Sequence, residues 1–414
     1  MTVHPFTRVV DDDEVIIGRP ERQVFVAVPP IGVEVLDRLA EGSTIRDTQA
    51  WIEAEYGEAP DIADFLENLE RGGFVSPEDN GRATGEGRDS DKVRGHAADV
   101  TESPTEPGLR HHFEGFPAQW ARRLFGAPAL WIYLMVILGA LAAIAARPEV
   151  MPGRSSLVFR SGMTLAGLAL VALLLLTVFL HEMAHLVAAR ARGVSSRLGV
   201  GHRLWFLVVE TDMTGLWRLP RDRRYLPILA GPLADATMAS SLLLLLFVRE
   251  EAGWAWVEGL SQIVEALVFL LLLRLVWQLF LFMRTDVYFL VASLFKCKNL
   301  MEDTRTFVWH LWMRLRGKKP VERWTQVPLR EQRVVRWYAV FWFIGRGAAV
   351  AMFALVHLPV LVQYLVHSFE ILMAGPGDKP LHFVDGLITF CVSISTAAAG
   401  LVLWLRSIFG KERV

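Results

Sequence analysis

The chain has 414 residues, 53% of them hydrophobic, with 14 Trp and 24 Phe, which is too long and too apolar for one soluble domain and points to a membrane protein. Its 43 Lys+Arg nearly cancel its 44 Asp+Glu, so the overall charge offers nothing to attract nucleic acid, and none is expected as a partner. With 2 Cys, at 297 and 391, neither a disulfide framework nor a cysteine-based metal site has support, and any metal here has to be held by His and carboxylate.

Residues 11 to 14 read Asp-Asp-Asp-Glu, where a secretory leader would carry basic and then apolar residues, so the N-terminal part is expected in the cytosol. Alternation in Glu14-Val15-Ile16-Ile17 and in Gln23 to Val28, around Gly18-Arg19-Pro20, predicts a hairpin. Three short amphipathic helices are expected next. The first lies near Ile31 to Leu39. The second starts after a Ser43/Thr44 cap with Ile45, Ala50, Trp51 and Tyr56 near one face. The third follows Pro60-Asp61 with Ile62, Phe65, Leu66 and Leu69 at helical spacing. Residues 1–77 are thus expected to form a small α+β, winged-helix-like domain. The order of a strand pair, "GVEVLDRLAEGSTIRDTQAWIEAEYG" and "DIADFLENLERGGFV" resembles the PqqD-like domains that recognise leader peptides of ribosomally made peptides. That resemblance implies capture of an extended precursor peptide as an added strand on a sheet edge.

Residues 78–110 are rich in Gly, Asp, Glu, Ser, Thr and Pro and read as a flexible linker. The remainder, 111–414, carries six apolar stretches near the length of about twenty residues that crosses a bilayer. They fall at about 127–146, 163–189, 225–248, 262–283 with a possible continuation to 295, 337–365 and 383–405. Arg122 and Arg123, the eight arginines from Arg190 to Arg224, the basic run from Lys296 to Arg336, and Arg406 to Arg413 all fall on every second loop. The positive-inside rule therefore puts both termini in the cytosol and makes the bilayer a partner. The fold class expected is a polytopic α-helical membrane protein of about six transmembrane helices with the small α+β domain in front.

In the second stretch the chain reads His181-Glu182-Met183-Ala184-His185. Positions i and i+4 share a helical face, so both imidazoles can reach one Zn²⁺ while Glu182 lies beside them to take a proton from water. Two His and a Glu in a helix this apolar are costly to insert and mark a functional site, against the plainer reading of polar residues packed in a bundle. A hydrolytic zinc needs a third protein ligand and an open position. Asp286, after the fourth stretch, is the favoured candidate: His181 is about nine residues, or roughly 14 Å, from Arg190, and Asp286 stands about ten residues before Lys296, so their depths agree. Glu210, Asp212 and His202 compete. A membrane oxygenase would need several His clusters, whereas His202, His310, His357, His367 and His382 are scattered.

An HExxH inside a membrane helix, Ala230-Gly231-Pro232-Leu233-Ala234-Asp235 in the next span and Thr285-Asp286-Val287-Tyr288 after the following one together resemble the site-2 protease family, across about 125–300. "RRYLPILAGP" and "RTDVYFLVAS" are similar to its peptide zinc metalloprotease subgroup. The resemblance implies a zinc metalloendopeptidase with Glu182 catalytic, His181, His185 and Asp286 on Zn²⁺, and Gly231, Pro232 and Asp235 near substrate. It further implies maturation of a precursor peptide or cleavage of a membrane protein at a bacterial cytoplasmic membrane, with peptide-biosynthesis or export partners. Two positions depart from the family. Val287 stands where Gly usually follows the aspartate, and Asp235 where Asn is usual; these departures keep a catalytically silent, membrane-anchored peptide-binding or export-accessory protein as the alternative. Counting depth from Arg224 and Arg336 predicts an Asp235–Arg346 ion pair and leaves Arg274 without a partner. Leu204 to Glu210 is expected either as part of a membrane-surface hairpin or as an edge strand holding substrate extended.

Overall fold

A computed structural model describes residues 1–11, 14–19, 24–57, 62–76, 110–113, 115–194, 196–203, 206–212, 215–216, 219–253, 258–297, 299–317, 324, 327–377 and 379–409. The linker expected over 78–110 lies outside them up to residue 109. The chain divides into two compact units, residues 1–118 with 189–226, and residues 119–188 with 227–414.

In the first unit, β1 (Thr2–Val3) pairs with β5 (Val75–Ser76), and β2 (Thr7–Asp11), β3 (Glu14–Arg19) and β4 (Val24–Val28) form an antiparallel sheet in that order. The hairpin read from alternation is β3–β4, with Ile17 opposite Val26. β2 was not foreseen, because its exposed Thr7, Arg8 and Val10 have no apolar period. Helices α1 (Pro30–Ala40), α2 (Ile45–Tyr56) and α3 (Ile62–Arg71) follow, and Ile17, Leu36, Ile52, Leu69 and Phe74 close the core.

Thr44 caps α2 as expected, its hydroxyl accepting from the Asp47 N–H at 3.1 Å. The face expected to be buried is displaced, however. Thr48 and Ile52 point inward, while Ile45 and Tyr56 are exposed. Trp51 meets the core at its edge and carries the Arg38 guanidinium over its ring, 3.9 Å from the centroid.

The same unit holds a second antiparallel sheet, β6 (Arg110–His112), β7 (Arg197–Arg203) and β8 (Phe206–Asp212), with β7 central. Of the apolar run at 204–210, residues 206–210 thus lie in β8, an outer strand of this sheet among the described residues, while Leu204 and Trp205 lie outside the described residues.

The second unit is helical: α4 (Ala118–Leu124), α5 (Ala127–Ala146), α6 (Met163–Ala191), α7 (Arg221–Ala252), α8 (Glu258–Gln278), α9 (Asp286–Phe295), α10 (Leu300–Leu315), α11 (Leu329–Met352), α12 (Leu358–Ala374) and α13 (Pro380–Phe409). Helices α6 and α7 extend at their ends into the first unit. Among the described residues, six helical stretches, one of them α11–α12 joined through a π-helical turn, are long and apolar enough to cross a membrane. Trp131, Leu165, Leu168, Phe343, Val350 and Leu381 are each more than half exposed, and apolar faces of that extent are compatible with contact with lipid.

Helices α6, α7, α8 and α12 meet around Leu170, Ala239, Ala266, Leu271 and Ile371. Ala184, Ala188 and Ala230 let α6 and α7 approach closely near the histidines. The helix α6 begins against α13: the Asp385 carboxylate accepts from the Met163 N–H at 2.9 Å and the Thr164 N–H at 2.8 Å, a cap supplied from another helix.

The fourth stretch does not continue as one helix to residue 295. It breaks after Gln278 and resumes at Asp286.

Candidate metal centre

The break between α8 and α9 is what presents Asp286. Gln278, the last residue of α8, accepts the Asp286 backbone N–H at 3.1 Å and donates its side-chain N–H to Asp286 Oδ2 at 2.9 Å. Thr285 caps α9, accepting from the Tyr288 N–H, and its own hydroxyl donates to the Gln278 carbonyl at 2.9 Å. This clasp holds both helix ends, so the chain turns before the aspartate and Val287 lies in the first turn of α9. The bend expected to need glycine after Asp286 falls before it instead, and Val287 is accommodated as the second residue of α9.

His181 and His185, one turn apart on α6, bring their Nε2 atoms to 3.3 Å from each other. Asp286 faces both, with Oδ2 3.2 Å from His181 Nε2 and Oδ1 3.4 Å from His185 Nε2. One ligand atom from each residue lies within 4.8 Å of the other two. Both histidines are buried.

The outer ring nitrogens fix what the inner ones can do. His185 Nδ1 lies 2.8 Å from the Pro227 carbonyl, which can only accept, so Nδ1 carries the proton. His181 Nδ1 lies 2.9 Å from Asp235 Oδ2 and donates to that carboxylate. With neutral rings, both Nε2 atoms turn lone pairs toward the same place that the Asp286 carboxylate faces. Three acceptors gathered in an apolar helix bundle repel one another unless a cation, or a proton on one of them, lies between them.

Gly231 supplies the room. A Cβ added there would come far inside contact distance of Nε2 of both histidines and within 2.6 Å of His181 Cε1. The donor set, two imidazoles and a carboxylate, fits a divalent transition metal with an open coordination position.

Behind His181 lies a layer that sequence reasoning placed wrongly. Asp235 is fully buried and pairs with Arg274 of α8, not with Arg346. Arg274 Nε donates to Asp235 Oδ2 at 2.7 Å and Nη2 to Oδ1, while Nη1 reaches Thr177 Oγ1 at 3.2 Å, one turn before His181 on α6. One guanidinium therefore ties α6, α7 and α8 together beside His181. Arg346 instead rests over the rings of Trp342 at 3.8 Å and Phe282 at 5.6 Å. Depth counting put Asp235 and Arg346 at one level, but depth says nothing about which helix is the neighbour, and α8 is. Asp235 is occupied by His181 and Arg274; Gly231 faces the histidines, and Pro232 is one of two prolines within α7.

Glu182 is half-buried on α6 between the two ligands. The side chains of His202, Glu210 and Asp212, the rival ligands, lie outside the described ones. Burial pushes the Cys297 thiol up to about 12, which leaves it protonated and unsuited to metal. Gln278 and Arg274 were the residues missed. Arg274 had carried a signal, as a charge inside an apolar span, whereas Gln278 had none until the helix break was seen.

No family model, no curated protein and no solved structure matches this chain.

Proposed function

We propose that the chain is an intramembrane zinc metalloendopeptidase, which hydrolyses a peptide bond of a precursor peptide or a membrane-protein segment near the cytosolic face. The observation that carries this reading is the convergence of His181, His185 and Asp286 with outer hydrogen bonds that turn both Nε2 lone pairs inward, one residue from Glu182. A bound zinc supplies Lewis acidity, lowering the pKa of water and polarising the scissile carbonyl. Glu182 takes the proton from the attacking water and delivers it to the leaving amine. Asp235 and Arg274 hold His181, and Pro227 holds His185, so the ligands need no reorganisation during the reaction.

A substrate helix hides its carbonyls in its own hydrogen bonds and has to unwind before it is cut. Strand β8, outermost in its sheet among the described residues, supports this reading, because an outer strand can take an extended chain beside it. The N-terminal sheet, ordered β2-β3-β4, offers outer edges of the same kind, which suit a leader or precursor peptide added as a strand. Tethering of that sort raises the local substrate concentration without contacts at the metal. The positive-inside rule supports a cytosolic side for this domain and for the basic loop after α6, in what we take to be a bacterial cytoplasmic membrane.

The test is cleavage of a precursor peptide encoded beside the protein, by the purified full chain and by Glu182→Gln. Cleavage by the parent with a loss of about 10² to 10⁴ in Glu182→Gln supports the assignment. Metal bound without cleavage of any such precursor favours the silent, membrane-anchored peptide binder.

A further inference from the structure

Outside the metal centre, the cluster that the protein's own groups leave unsatisfied lies between α10 and α11. There Arg305, Val308, Trp309, Trp312 and Trp342 line an open cleft of about 310 Å³. The first half of α10 is anchored, with Leu300 and Met301 buried against Val335 and Tyr338 of α11. Its second half is not: Trp309, Leu311 and Leu315 are 52%, 46% and 80% exposed beside Arg305, Arg314 and Arg316. An apolar face edged with arginine is the pattern of a helix lying in a membrane interface.

Three features of this cleft ask for an anion. The indole N–H of Trp342, a residue only 7% exposed, has no acceptor among the described residues. Arg305 forms no ion pair with a carboxylate among the described residues. Arg346, one turn beyond Trp342 and beside the cleft, is exposed on an apolar span and among the described residues has only the rings of Trp342 and Phe282 as partners. It lies ten residues past Arg336, about 15 Å along the helix, where a lone guanidinium is costly in hydrocarbon. Its position over Trp342 turns it back toward the start of α11, the cytosolic end on the positive-inside orientation.

We propose that the cleft between α10 and α11 binds the phosphate headgroup of an anionic phospholipid of the cytosolic leaflet, held by Arg305, Arg346 and the Trp342 N–H. The three tryptophans take up the glycerol and upper acyl region at interfacial depth, and the exposed apolar residues of α11, Phe343 and Val350 among them, face the acyl chains. Anionic lipid is favoured over a protein partner because the cations flank aromatic residues beside an apolar span, where a phosphate is the anion a bilayer supplies. The site would fasten α10 and α11 beside α9, which begins at Asp286, since Tyr288 of α9 packs in the same core. The inference needs the membrane orientation but not the protease reading, and its test requires neither zinc nor activity.

The full chain, delipidated in a neutral detergent, is melted with added phosphatidylglycerol, phosphatidylcholine or inorganic phosphate. Phosphatidylglycerol is expected to raise the Tm well beyond phosphatidylcholine, and inorganic phosphate to leave it unchanged. Arg305→Gln/Arg346→Gln should bind phosphatidylglycerol about tenfold or more weakly, the scale of lost charge-assisted hydrogen bonds. Trp342→Phe, which keeps the ring and removes the N–H, should lose part of the response, and Arg346→Lys should keep most of it. Equal responses to the two lipids, an undiminished response in the double variant, or a full response to inorganic phosphate alone would overturn the proposal. Should the double variant not fold, the exposed substitution Trp309→Ala carries the same test, with a weakened phosphatidylglycerol response expected and an unchanged one counting against the site.

Discussion

Gly231 stands where any side chain would collide with the Nε2 atoms of His181 and His185, the nitrogens that the proposed metal would need. Gly231→Ala should therefore abolish metal binding while far-UV circular dichroism stays that of the parent, because alanine suits a helix better than glycine. The layer behind His181 gives a graded result. Asp235→Asn and Arg274→Gln each disturb the partner that fixes the His181 ring, and metal affinity should fall about 10- to 100-fold in both, as loss of such support does elsewhere. Competition against a fluorescent chelator reads this directly, and an affinity equal to the parent's in Arg274→Gln would remove the guanidinium from the account. At this scale the His181, His185 and Asp286 grouping was legible, since two histidines at helical spacing inside an apolar run have few other uses. The Asp235–Arg274 pair was not. A depth along a helix can be counted from the sequence, whereas the face it turns to a neighbour depends on packing that a single chain's pattern does not encode.

Two elements owe their position to contacts from elsewhere in the chain. The break at 279–285 puts Asp286 at a helix start, and its clasp depends on Gln278 filling two roles at once. Gln278→Ala should cost about 1–3 kcal/mol by leaving polar groups unpaired and should weaken metal affinity in parallel, both visible in thermal melts with and without zinc. The helix α6 is held at its other end by Asp385, so Asp385→Ala should lower stability by about 1 kcal/mol with metal affinity unchanged. The contrast between the two variants separates support of the ligand from support of the helix. Hydropathy located the spans well because each is an apolar run of membrane length. It missed the break because Leu279 to Met283 is as apolar as the helices on either side, and the turn there is stabilised by Gln278 and Thr285, residues common in helices too. The α2 face was misread for a related reason. Ile45, Trp51 and Tyr56 look apolar in sequence, yet the core takes Thr48 and Ile52, whose direction is set by α1 and by the Thr44 cap.

For the molecule as a whole, the strands and short helices of residues 1–76 belong to one compact unit and His181, His185 and Asp286 to the other. If the domain acts by tethering, removing residues 1–76 should lower kcat/KM for a full-length precursor by 10-fold or more while leaving a short peptide that spans the cleaved bond unaffected. Equal losses on both substrates would point to a structural role instead. The β3–β4 hairpin and the three short helices after it were readable from alternation and capping signals, and the long apolar helices from hydropathy. The sheet β6-β7-β8 was only half readable, because β6 lies three residues long at the end of a polar stretch.

The most direct measurement is the metal content of the purified full chain beside Asp286→Ala and His185→Ala, by elemental mass spectrometry. One zinc per chain in the parent, lost in both variants that retain parental circular dichroism, is the predicted result. A parent free of zinc, or zinc retained when the Asp286 carboxylate is gone, would contradict the central claim that these three residues form one metal centre.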